Sequence, residues 1–134
     1  MLKEGDTYSE TVSFTQANVE TFARITGDFN PLHIDNEYAA KTQYKRPIVH
    51  GMYAASTFSR VLGNVFPGVG SIALHREQTY IRPVYVDEEY TMHFKVIEVD
   101  RKKMTGKIRC IMKNPEGKIC ITGVATLKNP LRFG

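Results

Sequence analysis

The hydrophobic period of this chain changes once, and that change limits the folds open to it. From His50 to Phe66, small and apolar side chains recur at three- and four-residue spacing (Met52, Ala55, Ser59, Leu62, Phe66), which predicts a long helix. Its face is unusually small and apolar, so the helix is expected to be buried, and Gly63, Pro67 and Gly68 supply its stop signals. From Gly70 onward the period is two. Ile72-Ala73-Leu74 and Gln78-Thr79-Tyr80-Ile81 flank a polar stretch; Tyr90, Met92, Phe94 and Val96 alternate with polar residues, as do Ile108, Cys110 and Met112. Asn114-Pro115-Glu116-Gly117 is a turn, since proline presets one dihedral and glycine accepts a positive φ. Ile119, Ile121, Gly123, Ala125 and Leu127 make the last strand. Strands joined so closely favour antiparallel meander pairing over βαβ crossovers. The expected architecture is α+β: an antiparallel twisted sheet around one long central helix. At 134 residues the chain holds this as a single domain, 1–134.

The first half carries the chemistry. Residues 5 to 14 alternate weakly and read as a leading strand or extended segment. Val19, Phe22, Ala23 and Ile25 put an apolar face on a helix from Gln16 to Thr26, with Ser13 or Thr15 as N-cap and Gly27 ending it. Asp28 and His33, five positions apart, would suit one helix, but Pro31 lacks an N–H and pushes Asn30 toward an extended conformation. The pair is therefore expected on a loop, the usual seat of reacting groups. Asp35 can cap a short helix through Ala40, and Pro47 closes the turn before His50.

Gly27-Asp28-x-Asn30-Pro31-Leu32-His33, followed seventeen residues later by His50-Gly51-Met52 with Arg46-Pro47-Ile48-Val49 between, resembles the MaoC-like, (R)-specific enoyl-CoA hydratase family from about Tyr8 to Lys128. That resemblance implies a hot-dog fold, reversible syn hydration of a 2-enoyl thioester, and a homodimer with substrate lying between protomers. Such chemistry needs a base for water, an acid for the α-carbon, and positive dipoles facing the thioester oxygen. Asp28 and His33 can share one water. Gly51, at the first turn of the long helix, offers an N–H with no intrahelical partner, a positive helix end and no side chain, and the resemblance puts the thioester carbonyl there.

Around these three catalytic candidates stand residues expected to orient the pair or bind substrate. His50 reads as structural or loop-orienting. Asn30 either orients the pair or serves the turn. By resemblance Ser59 hydrogen-bonds Asp28, against the alternative of a bond to its own helix backbone; Ser56 has a weaker claim. Tyr53 would limit acyl length if it entered the acyl tunnel, the alternative being that it faces the sheet. Asp35 with Asp28 and His50 raises a metal cluster, which the absence of H-x-x-x-H or comparable spacing argues against, so no metal is expected. No nicotinamide or flavin motif is present either, which makes coenzyme A a substrate handle rather than a cofactor.

Composition narrows the partners. Apolar residues at 42% and charged residues at 24% are those of an ordinary globular protein. The net charge of +4 is scattered, with acidic residues interleaved, which speaks against nucleic acid and suits a small anionic ligand. Lys102 and Lys103 are at most suggestive of docking to an acyl carrier protein. No run approaches a membrane span and no leader is evident, so a cytoplasmic protein is expected. Cys110 and Cys120 read as free buried thiols, with a cross-strand disulfide as the alternative. Beside CoA-thioester hydration stand the same reaction on carrier protein, a hot-dog thioesterase, and a non-catalytic acyl-CoA-binding module.

Overall fold

A computed structural model describes residues 1–134. In chain order it contains β1 (Thr7–Val12), α1 (Gln16–Thr26), α2 (Pro31–Ile34), α3 (Asn36–Ala40), α4 (Gly51–Asn64), β2 (Ile72–Tyr80), β3 (Tyr90–Asp100), β4 (Thr105–Lys113), β5 (Ile119–Lys128) and α5 (Pro130–Phe133). The five strands form one antiparallel sheet in the order β1-β3-β4-β5-β2. Alternation along β3 and β4 explains which face is inward: Tyr90, Met92, Phe94 and Val96 are buried, as are Ile108, Cys110 and Met112. Against that face lies α4, its Phe58 ring edge-on to Phe94 at 5.8 Å and its Thr57 hydroxyl on the Met92 sulfur. Both cysteines are free and buried. The turn into β5 forms as expected, with Gly117 at φ 80° and the Asn114 side chain accepting from the Glu116 and Lys118 amides.

Four expectations change. The long helix begins at Gly51, with His50 outside it, and ends at Asn64. Its buried face is Ala54, Ala55, Phe58, Val61 and Leu62, whereas Met52 and Ser59 are exposed, so the helix is covered on one side only. Ile72–Leu74 and Gln78–Tyr80 belong to one strand interrupted by a register shift between Ala73 and His75; as the sheet edge, β2 has no need of a continuous apolar pattern. His33 sits on a single helical turn, α2, and not on an irregular loop. Pro31 breaks the path from Asp28 but then serves as the first residue of α2, where a missing N–H costs nothing.

Candidate active site

The chain builds the Asp28–His33 segment from local side-chain bonds. Thr15, not Ser13, caps α1, accepting from the Asn18 amide at 3.1 Å. Gly27 ends the helix in the left-handed region at φ 79°, its N–H on the Ala23 carbonyl at 2.8 Å. The Asp28 carboxylate then accepts from the Asn30 amide at 3.3 Å, and Asn30 in turn accepts from the Leu32 amide at 3.1 Å as N-cap of α2. Asn30 is thus a turn and capping residue. Asp28 is exposed and His33 half-buried.

His33 is held in one tautomer. Its Nδ1 lies 2.7 Å from the Ile48 carbonyl; a carbonyl only accepts, so Nδ1 carries hydrogen and Nε2 keeps its lone pair. Burial lowers its pKa from 6.5; the Ile48 bond pushes the other way, His50 adds to the lowering and Asp28 opposes it. At neutral pH this imidazole is therefore uncharged and basic. Ligand-type atoms of Asp28, His33 and His50 all lie within 4.8 Å of one another. No direct Asp28–His33 hydrogen bond forms, and the spacing admits one bridging water.

His50 is almost wholly enclosed, with 1% of its surface exposed. Its ring stacks on His33 at 3.9 Å between centroids and approaches Phe22 at 4.8 Å, while Nε2–H donates to the Asp28 carbonyl at 3.0 Å. Gly51 follows at the first turn of α4. A Cβ there would lie 2.8 Å from the Tyr80 ring, so any side chain at this position would have to push Tyr80 aside. Tyr80 is tied in place by the Gln78 side chain, which donates to its hydroxyl at 2.9 Å, and by a bond to the Met52 sulfur. A cavity of about 490 Å³ opens here, walled by Tyr44, Ile48, Gly51, Tyr80, Arg82 and Val84 among others. Asp28 and His33 lie outside its wall, yet Ile48 links the two, lining the cavity while its carbonyl holds His33.

Three candidates lie elsewhere. Ser59 is exposed and makes no bond to Asp28 within this chain; it lines a separate groove with Met52, Ala55, Ser56, Arg76 and Gln78. Tyr53 faces Phe14 and Phe22 at 5.2 and 5.3 Å, in the layer between α1 and α4, and does not enter the cavity. Asp35 caps α3 through the Tyr38 amide, apart from the Asp28 cluster. The remaining trio, Asp28, His33 and His50, brings its ligand-type atoms within 4.8 Å of one another, with the two imidazole rings stacked at 3.9 Å between centroids. The Ile48 carbonyl, Phe22 and Tyr80 were not singled out by sequence reasoning. Nothing local marks them, since their roles arise from elements distant along the chain.

Residues 3–114 match the MaoC like domain family. An (R)-specific enoyl-CoA hydratase of Aeromonas caviae is 40% identical over 117 residues, covering 87% of each chain. A mitochondrial 3-hydroxyacyl-[acyl-carrier-protein] dehydratase of Arabidopsis thaliana is 31% identical over 94% of this chain and 76% of its own length. Among solved structures, an (R)-hydratase from A. caviae involved in PHA biosynthesis superimposes with a TM-score of 0.92 at 38% identity, covering 96% of this chain and 98% of that one. The chain belongs to the MaoC-like family of hot-dog proteins and is a hydro-lyase.

Proposed function

We propose that this protein catalyses (R)-specific, reversible hydration of trans-2-enoyl-CoA to (R)-3-hydroxyacyl-CoA. The observation that carries the reading is the neutral His33, its Nδ1 committed to the Ile48 carbonyl, with a ring nitrogen and an Asp28 carboxylate oxygen within 4.8 Å of each other. Asp28 and His33 Nε2 each accept one hydrogen of the water. The water oxygen bonds to the β-carbon, one proton passes to Nε2, and the π electrons move toward the thioester oxygen, which the Gly51 N–H stabilises. The imidazolium, still donating through Nδ1 to Ile48, returns the proton to the α-carbon on the same face. One water is added in all, and no redox or metal chemistry is needed. Similarity to the Aeromonas hydratase supports the choice of substrate and stereochemistry.

Similarity to the Arabidopsis dehydratase favours a second reading, the same chemistry on a carrier-protein thioester. We further propose that two copies pair through β2, an edge strand with exposed Ile72 and Leu74, to complete the substrate site. Cytoplasmic residence fits the free thiols; no helix is long and apolar enough to cross a membrane. The deciding experiment follows loss of enoyl-thioester absorbance with crotonyl-CoA and with crotonyl carrier protein, followed by chiral analysis of the product. (R)-3-hydroxybutyryl-CoA formation supports the first reading. Turnover of the carrier-protein substrate alone moves the assignment to the second, and release of free thiol moves it to a thioesterase.

A further inference from the structure

His50 gives up two things that its position would ordinarily secure. It is the N-cap of α4, where Ser, Thr, Asp or Asn would accept an amide hydrogen and stabilise the helix, yet its side chain makes no capping bond. Its Nδ1 is buried without a partner, the one side-chain nitrogen or oxygen in this condition. What the imidazole does instead is turn toward the Asp28–His33 segment, packing its face on His33, donating from Nε2 to the Asp28 backbone carbonyl, and continuing through the chain into Gly51. One side chain thereby connects all three reacting groups. Phe22 from α1 closes its environment.

We propose that His50 is a positioning residue: it locks the ring orientation of His33 that presents Nε2 to water, and fixes the Asp28 segment to the helix end carrying the Gly51 amide. This rests on the hydratase reading for its consequences in rate, but its structural content stands apart from it. Stacked at 3.9 Å on one face, His50 opposes rotation of the His33 ring, which would exchange Nδ1 for Nε2 at Ile48. The ionisable groups bearing on His33 are His50 and the Asp28 carboxyl; from α1 it meets only the neutral Gln16 amide, which donates to the His33 carbonyl. The lowered pKa of His33 is consistent with this enclosure.

The test uses His50→Asn, which can cap α4 and so retain the fold, and His50→Gln, which can keep a donor for Asp28 but no stacking ring. Both are compared with wild type by melting temperature, by kcat and KM on crotonyl-CoA across pH, and by ¹⁵N chemical shifts of the ring nitrogens of labelled His33. The expected result for His50→Asn is an equal or higher melting temperature, kcat lower by about 10- to 100-fold with KM nearly unchanged, and mixed His33 tautomers. His50→Gln should lie between the two. An unchanged kcat and a pure Nδ1–H tautomer in a folded His50→Asn would overturn the proposal, as would a loss of rate matched by a loss of folded protein. If the wild type does not turn over enoyl-CoA, the hydratase reading fails, while the His33 tautomer in the variants still decides the role of His50.

Discussion

Asp28 and His33 differ in burial and in what each holds, and their roles divide accordingly. Asp28 is exposed and spends one oxygen on the Asn30 amide; His33 is half-buried with its Nδ1 committed to Ile48. Asp28→Asn and His33→Gln should each lower kcat for hydration by about 10²- to 10⁴-fold with the fold intact, measured by steady-state kinetics beside circular dichroism. The pH dependence has a definite sign. Because burial lowers the pKa of His33 from 6.5, its neutral, basic form prevails at and above 6.5 and is lost as pH falls through the lowered value. A kcat/KM profile for hydration should therefore be flat near neutrality and drop on the acid side with a midpoint below 6.5, and His33→Gln should abolish that limb. A midpoint above 6.5 would contradict the neutral-base assignment.

Among the elements, β2 meets α4 at Gly51 and β5 at Gly123, and at each an added Cβ would crowd it. Gly51→Ala keeps the amide but adds a Cβ 2.8 Å from the Tyr80 ring, in the space that the proposed mechanism gives to the thioester oxygen. Since Tyr80 is exposed and its ring end can swing aside, we expect a folded variant with activity reduced by about 10²- to 10³-fold, the size seen on losing an oxyanion donor. Removing the ring in a Gly51→Ala/Tyr80→Ala double variant should not restore the rate; restoration would mean that displacement of Tyr80 was the cause. At Gly123 on β5 an added Cβ would strike the Glu77 backbone carbonyl of the paired strand, and backbone cannot swing aside. Gly123→Ala should pry β2 from the sheet edge, seen as a lower melting temperature and fast amide exchange along Ile72–Tyr80.

At the scale of the molecule the sheet is left unfinished. β1 and β2 are its two edges, but only β2 exposes large apolar side chains along its length, with Ile72 at 64% and Leu74 at 56%. Exposed Met52, Ser56 and Ser59 of α4, with buried Ala55 at the floor, line a groove with Arg76 and Gln78 that holds neither Asp28 nor His33. A second copy lying against β2 would cover both, and Leu74→Lys is expected to convert a dimer to a monomer in sedimentation or gel filtration, with activity falling in parallel. A Leu74→Lys variant that stays dimeric would place the pairing elsewhere. Core packing sets the other limit: Phe58, fully buried against Phe94, should cost about 3–5 kcal/mol when cut to alanine, measured by denaturant titration.

Much of this was legible without coordinates, for local reasons. Pro31 must leave a helix path, Gly27 suits a left-handed helix end, and a change from helical to alternating period marks where the sheet begins; each depends on residues a few positions apart. The Asp28, His33 and Gly51 candidates followed from the same short stretch. What sequence reasoning left open depended on neighbours far along the chain. Tyr53 and Ser59 share a helix with Gly51, but the packing of α1 and the sheet decides that one faces Phe14 and Phe22 and the other faces outward. The same holds for His33: spacing offered a carboxylate and an imidazole, whereas its tautomer and lowered pKa come from the Ile48 carbonyl and the stacked ring of His50. Local sequence determines which conformations the backbone can enter, because steric and hydrogen-bonding limits act within a few residues. Only tertiary packing decides which groups lose water and which face one another, and that is what gathers Asp28, His33 and His50 and ties His33 to the Ile48 carbonyl.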